Sequence, residues 1–202
     1  MDKITINIIR ILNIPVKSNC FLVFHNNNKS CLVIDPGSEK DDAIINSIKD
    51  KKVDYIFLTH EHFDHIWCAD QIRKKYNSKL YCSIDASKGI IDKKKNMSIF
   101  YDQIGFELSP CDVILNDEQI INWKGIDIQI IYTPGHTNGS ICIKINDNLF
   151  TGDTIIKGVP TVTKLPGGSK EKLKNTMNKL KTLGINNFNL YCGHGESDIK
   201  TR

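Results

Sequence analysis

Short apolar runs separated by turn residues are what most restrict the folds open to this chain. ITINIIRIL, CFLVFH, SCLVID, VDYIFLTH, KLYCS, IDIQIIYTPG, SICIKI, NLFTG and FNLYC recur along its length. They are rich in β-branched and aromatic residues, many alternate in polarity, and they predict strands. NNNK between CFLVFH and SCLVID, and NDN between SICIKI and NLFTG, are turn compositions that predict hairpins. Helical periodicity falls between the strands. Asp41 to Lys49 sets Ile44, Ile45 and Ile48 on one face, and Ile66, Ala69, Ile72 and Tyr76 recur with a period near 3.6. After Pro166-Gly167-Gly168, Ser169 is placed as an N-cap, Leu173, Met177 and Leu180 as a buried stripe and Gly184 as the stop. Lys93 to Tyr101 predicts a loop. Hairpins mixed with helical crossovers imply an α/β fold of two sheets faced by helices. A length of 202 residues gives one sizeable core, so a single domain over 1–202 is expected.

Charge and cysteine content narrow the function classes. The chain carries 27 basic and 23 acidic side chains, mixed along the sequence, for a formal charge of +4. That small excess argues against a nucleic-acid surface, and lysine runs such as Lys93 to Lys95 read as a solvated face. No apolar run approaches the roughly 18 residues that span a bilayer. Met1 to Ile14 holds charges and Asn where an export signal needs its apolar segment. Seven cysteines without a CxxC pair suggest neither a disulfide framework nor a cysteine zinc cage. The expectation is a cytoplasmic protein with reduced thiols and no membrane or nucleic-acid partner; oligomeric state is left open.

Three of six histidines fall within residues 60–65, with an aspartate beside the last. On an extended backbone His60 and His62 project from one face, with Cα atoms about 6.6 Å apart, close enough to meet one metal ion. Asp64 and His65 follow where the chain turns toward a helix, and point elsewhere. Alone, Asp64 would be an ordinary N-cap. The other histidines change the balance: His136 in YTPGHTNGS and His194 in YCGHG both end strands beside glycines, and Asp153 in LFTGDT directly follows an apolar run. Five histidines and two aspartates at strand ends suffice for two divalent ions with an open position for water. Such donors suit zinc, and also iron or manganese. Two ions about 3.5 to 4 Å apart can share a hydroxide at neutral pH. His25 stands outside any motif and is expected on the surface.

LTHEHFDH (58–65), TPGHTNGS (133–140), FTGDT (150–154) and CGHG (192–195), in that order, resemble the metallo-β-lactamase superfamily. The closest likeness is to short single-domain members of its glyoxalase II (hydroxyacylglutathione hydrolase) branch; IDPG (34–37), NMS (96–98) and KLPGGS (164–169) add to it. The resemblance implies a four-layer αββα sandwich of two mixed sheets flanked by helices. It assigns His60, His62 and His136 to one metal, Asp64, His65 and His194 to a second, and Asp153 as the bridge. It further implies a metal-dependent hydrolase acting on a small-molecule thioester or ester, with Asp64 orienting a metal-bridging hydroxide and Asp153 holding both ions. Class B β-lactamases commonly have cysteine at position 153, which argues against antibiotic hydrolysis, and Cys142 and Cys192 read as buried strand residues. The branch usually carries Arg or Lys where this chain has Val162; Lys157 or Lys164 would have to replace it, although surface lysine is the simpler role. Two rivals stand beside this reading. A persulfide dioxygenase of the same branch uses one iron and usually has Ala in place of Phe63; a non-catalytic metal-binding module would keep only the fold. Nucleic-acid hydrolysis, found in other branches, would need basic insertions absent here.

Overall fold

The structure is a computed structural model that describes residues 5–26 and 29–197. Ile4, in the first expected strand, and residues 27 and 28, in the NNNK turn, lie outside the described residues. One sheet contains β1 (Ile6–Leu12), β2 (Asn19–His25), β3 (Ser30–Ile34), β4 (Lys52–Phe57), β5 (Lys79–Ser83) and β6 (Val113–Leu115), side by side in chain order. Its first three strands are antiparallel and the remainder parallel. The other sheet contains β7 (Ile120–Trp123), β8 (Ile126–Tyr132), β9 (Ile141–Ile145), β10 (Asn148–Gly152) and β11 (Asn189–Cys192), in the order β11-β10-β9-β8-β7. Only the β10–β11 pair in it is parallel. Both expected hairpins pair, with Phe21 opposite Ile34 and Asn148 opposite Ile145.

Period-two alternation sorts the side chains into layers. Along β2 and β3, Cys20, Leu22, Phe24, Cys31 and Val33 face α1 (Asp42–Ile48), α2 (Phe63–Ile66), α3 (Ala69–Tyr76) and α4 (Ile84–Ile90). Phe21, Val23, Leu32 and Ile34 alternate to the other face and meet Ile128, Ile130, Ile143 and Phe150 of the second sheet. Across that interface the Phe21 ring lies 5.4 Å from Phe150 and 5.5 Å from Tyr191, edge to face. On the far side, Ile131, Cys142 and Leu149 pack with Leu180 and Met177 of α6 (Lys170–Thr182). The order helix, sheet, sheet, helix is the αββα sandwich. Each fully buried Phe, Leu or Ile contributes about 1.5–3 kcal/mol, so these three apolar layers supply the main driving force. Among the described residues no helix is long and apolar enough to cross a membrane.

Three expectations change. The apolar stripe from Ile66 to Tyr76 breaks into α2 and α3 because Cys68 N donates to Pro36 O at 3.1 Å, outside either helix. The expected loop at Lys93 to Tyr101 contains the start of a short helix, α5 (Ser98–Asp102). Buried Asn96 fixes that helix, donating to Phe106 O at 2.8 Å and accepting from Ser98 N at 2.9 Å. His25 is buried rather than exposed: its ring meets Trp123 edge-on at 5.3 Å, and its Nε2 lies 3.3 Å from Lys124 O.

Candidate metal centre

β4 ends at Phe57, so His60 and His62 lie beyond the strand, in irregular chain that precedes α2. Their convergence comes from anchoring rather than strand alternation. Asp35 follows β3 with φ 54°, accepting from Thr59 N at 2.7 Å and Thr59 Oγ1 at 2.6 Å. Ile141 N donates to Thr59 O at 2.8 Å, tying the same loop to the second sheet. Ser18 Oγ donates to Asp64 O. The result brings the His60 and His62 rings to 4.8 Å, and each ring to within 5 Å of His136, at 4.9 and 4.7 Å.

The remaining residues arrive from the ends of β10 and β11. Gly152 closes β10 at φ 48°, and a Cβ on it would meet Thr59 Oγ1 at 2.3 Å, so only glycine admits this turn. Asp153 follows it. Gly193 N donates to Gly152 O and its carbonyl accepts from Asn19 N, both at 2.7 Å, which joins the two sheets just ahead of His194. A Cβ on Gly193 would stand 2.2 Å from Asp153 Oδ1. Close backbone approach at the glycine before His194 is thus what packs this corner.

All seven residues singled out in the sequence meet here. His60, His62 and His136 each offer a donor within 4.8 Å of the others, and so do Asp64, His65 and His194. Asp153 lies between: its Oδ1 is 3.5 Å from His65 Nε2, and its Oδ2 is 3.6 Å from His136 Nε2 and 3.5 Å from His194 Nε2. Asp64 Oδ2 is 3.2 Å from His194 Nε2, and His136 Nε2 is 2.9 Å from His62 Nδ1. Donors bonded at 2.0–2.1 Å to a tetrahedral ion stand about 3.4 Å apart, so these spacings suit divalent cations. The test of fit is polar satisfaction. His60 Nε2, His62 Nε2 and Asp153 Oδ1 are buried without a hydrogen-bond partner, a cost of about 1–3 kcal/mol each. For His60 and Asp153, a cation among the clustered donors would remove it. A further grouping, Asp35 with His60 and His65, is already spent on hydrogen bonds, since Asp35 Oδ2 meets Thr59 Oγ1 and His65 Nδ1.

Electrostatics divide the centre in two. Burial holds His60 and His62 well below the usual imidazole value, His62 at about 3, and neighbouring imidazoles push the same way. Burial also lowers His136, outweighing Asp153. These three are neutral rings with lone pairs to give. For His65, burial opposes charge, but Asp64 and Asp153 outweigh it and raise the ring to about 10. His194 is raised against burial by Asp64 and Asp153. Burial would raise Asp64, yet His65 and His194 hold it below the usual carboxylate range. In this second group the buried carboxylates and imidazoles favour one another's charged forms.

Asp35 and Thr59 were not among the expected site residues. IDPG marks Asp35 only as an acidic residue after a strand, and its link to His65 spans 30 positions that no local pattern reveals.

The family model for the metallo-beta-lactamase superfamily matches residues 13–194. The chain belongs to that superfamily. Among its relatives, the probable metallo-hydrolase YqgX of Bacillus subtilis (strain 168) is 31% identical over 193 residues, covering 93% of this chain and 90% of the relative. The hydroxyacylglutathione hydrolase GloC of Haemophilus influenzae is 28% identical, covering 90% of this chain and 89% of its own. The solved structure of the BLEG-1 B3 metallo-beta-lactamase matches with a TM-score of 0.85 over 95% of this chain and 93% of that one. At 24% identity it attests the superfamily's fold alone. The matched span includes all seven clustered residues, so superfamily membership and the donor geometry concern the same part of the molecule.

Proposed function

We propose that this chain is a binuclear metal-dependent hydrolase of thioesters or esters. The observation that carries the reading is Asp153, whose two oxygens face donors of both groups at 3.5–3.6 Å. In this scheme His60, His62 and His136 hold one divalent ion, Asp64, His65 and His194 hold the other, and Asp153 serves both. Zinc suits the donors best, with iron and manganese sharing them. Bound there, the ions supply Lewis acidity toward a carbonyl oxygen and lower the pKa of water to about 7. The chain's own residues do the rest. Asp64 lines the pocket beside the centre, where its carboxylate can accept a hydrogen bond from the attacking water and fix its direction. Val162 O, 2.8 Å from His136 Nδ1, and Lys17 O, 3.2 Å from His194 Nδ1, hold those rings in place.

Kinship with one relative named a probable metallo-hydrolase and another named a hydroxyacylglutathione hydrolase supports hydrolysis, and the second name describes a thioester. The rival reading is a single-iron dioxygenase acting on persulfides; Asp64, His65 and His194 fit either enzyme, and Phe63 stands where that group usually has Ala. The test is Asp153→Ala. Metal content should fall from two ions per chain to one or none, and thioester turnover by about 10²–10³-fold. Undiminished activity without metal refutes the scheme. Oxygen uptake on a persulfide, with one iron per chain, favours the dioxygenase.

A further inference from the structure

Beside the centre the surface turns apolar. Phe63, Met97, Phe100, Tyr101 and Leu165 wall a pocket of about 240 Å³, whose lining is completed by His62 and Asp64. Those two belong to different donor groups, so the pocket opens onto both. Among the described residues no lysine or arginine contributes to the lining. Phe100 is 66% exposed and Tyr101 47%, an arrangement that leaves large apolar side chains in water. Val162, also 47% exposed, flanks the centre through its carbonyl contact with His136.

The walls are held, not incidental. Phe63 N donates to Asn96 O at 2.8 Å, linking the residue after His62 to the segment that carries α5. The Phe63 ring lies 5.0 Å from Tyr101; Trp67 lies 5.7 Å from Tyr101 and stacks on Phe106 at 5.3 Å. Met97 at φ 69° and Gln103 at φ 66° bracket the helix in the left-handed region, which non-glycine residues adopt at a cost. An apolar cavity of about 150 Å³ accommodates benzene, so this space admits a phenyl ring or a medium-length alkyl chain. The thiols that commonly carry acyl groups are polar or charged. An apolar wall without a cation therefore matches the acyl half of a thioester rather than its thiol.

We infer that the substrate's acyl group is aliphatic or aromatic and binds in this pocket against Phe63, Phe100 and Leu165, an inference that rests on the hydrolase reading above. The test uses zinc-loaded protein and thioesters of one neutral thiol, N-acetylcysteamine, with acetyl, butanoyl, hexanoyl, phenylacetyl and lactoyl groups. Burial of each methylene should raise kcat/KM about fourfold, and the polar lactoyl thioester should fall below the butanoyl. Phe100→Asp, and independently Leu165→Ala, should each lower the hexanoyl-to-acetyl ratio at least tenfold. In parallel, calorimetry compares binding of the unreactive N-methyl amides of hexanoic and acetic acids, the former expected to bind at least tenfold more tightly. A ratio near one in protein that hydrolyses the acetyl thioester, or equal binding of the two amides, overturns the assignment. Selective binding of the hexanoyl amide without hydrolysis of any thioester supports the pocket and overturns the hydrolase reading instead.

Discussion

An imidazole has two nitrogens, and which one a metal meets depends on what the protein gives the other. Here His60 Nδ1 lies 3.1 Å from Thr59 Oγ1, His65 Nδ1 3.0 Å from Asp35 Oδ2, His136 Nδ1 2.8 Å from Val162 O and His194 Nδ1 3.2 Å from Lys17 O. Each contact leaves Nε2 turned to the centre. His62 is reversed, with Nδ1 facing His136. Among these partners Asp35 is the sole carboxylate, and it strengthens His65 as a donor while fixing its ring. Asp35→Asn keeps the shape and tolerates the φ of 54°, yet removes the charge. Zinc affinity measured by chelator competition should weaken about 10–100-fold with the fold retained. Unchanged affinity would show that Asp35 only packs the loop.

At the scale of elements, α6 shows how a local signal fixes a piece of the fold. Ser169 Oγ accepts from Lys172 N at 3.2 Å, capping the helix, and Ser169 N donates to Gly135 O at 2.8 Å beside His136. Ser169→Ala should cost about 1 kcal/mol and lower Tm by roughly 2–4 °C without changing metal content. A Tm unaltered by the substitution would show that the cap adds nothing to stability. Elements such as α1, α6 and the longer strands were legible because burial on one face imposes a period on several residues. β6, at three residues, is too short to display one. α5 carries no legible signal because what fixes it is the side chain of Asn96, not a stripe. The burial of His25 depends on Trp123, 98 positions away, and Asp35 gains its role only when His65 folds against it. The seven clustered residues were legible because imidazoles and carboxylates recurring shortly after apolar runs suggest metal chemistry, and because the motifs that hold them resemble a known family.

Across the whole molecule, the sheets pack over one apolar layer, and polar contacts tie them at two of its edges. One holds the candidate metal centre. The other lies at the opposite end of β4, where Trp123 Nε1 donates to Asp54 at 2.8 Å and Lys124 Nζ pairs with it at 2.7 Å. Burial alone would push the Asp54 carboxyl up, but the hydrogen bonds from Lys124 and Trp123 outweigh it and hold the group below its usual value. A carboxyl depressed by folding contributes stability above the ordinary aspartate pKa of about 3.9, and that stability is lost as pH falls through the lower folded value. The wild type should therefore melt above Asp54→Asn at pH 7, with the gap closing below about pH 4; a gap independent of pH would contradict this. At the candidate metal centre, anomalous X-ray diffraction from crystals of the zinc-loaded protein tests the two ion positions directly. Two peaks are predicted, one among His60, His62 and His136, the other among Asp64, His65 and His194, with Asp153 between. A single peak, or none within bonding distance of these side chains, would contradict that arrangement.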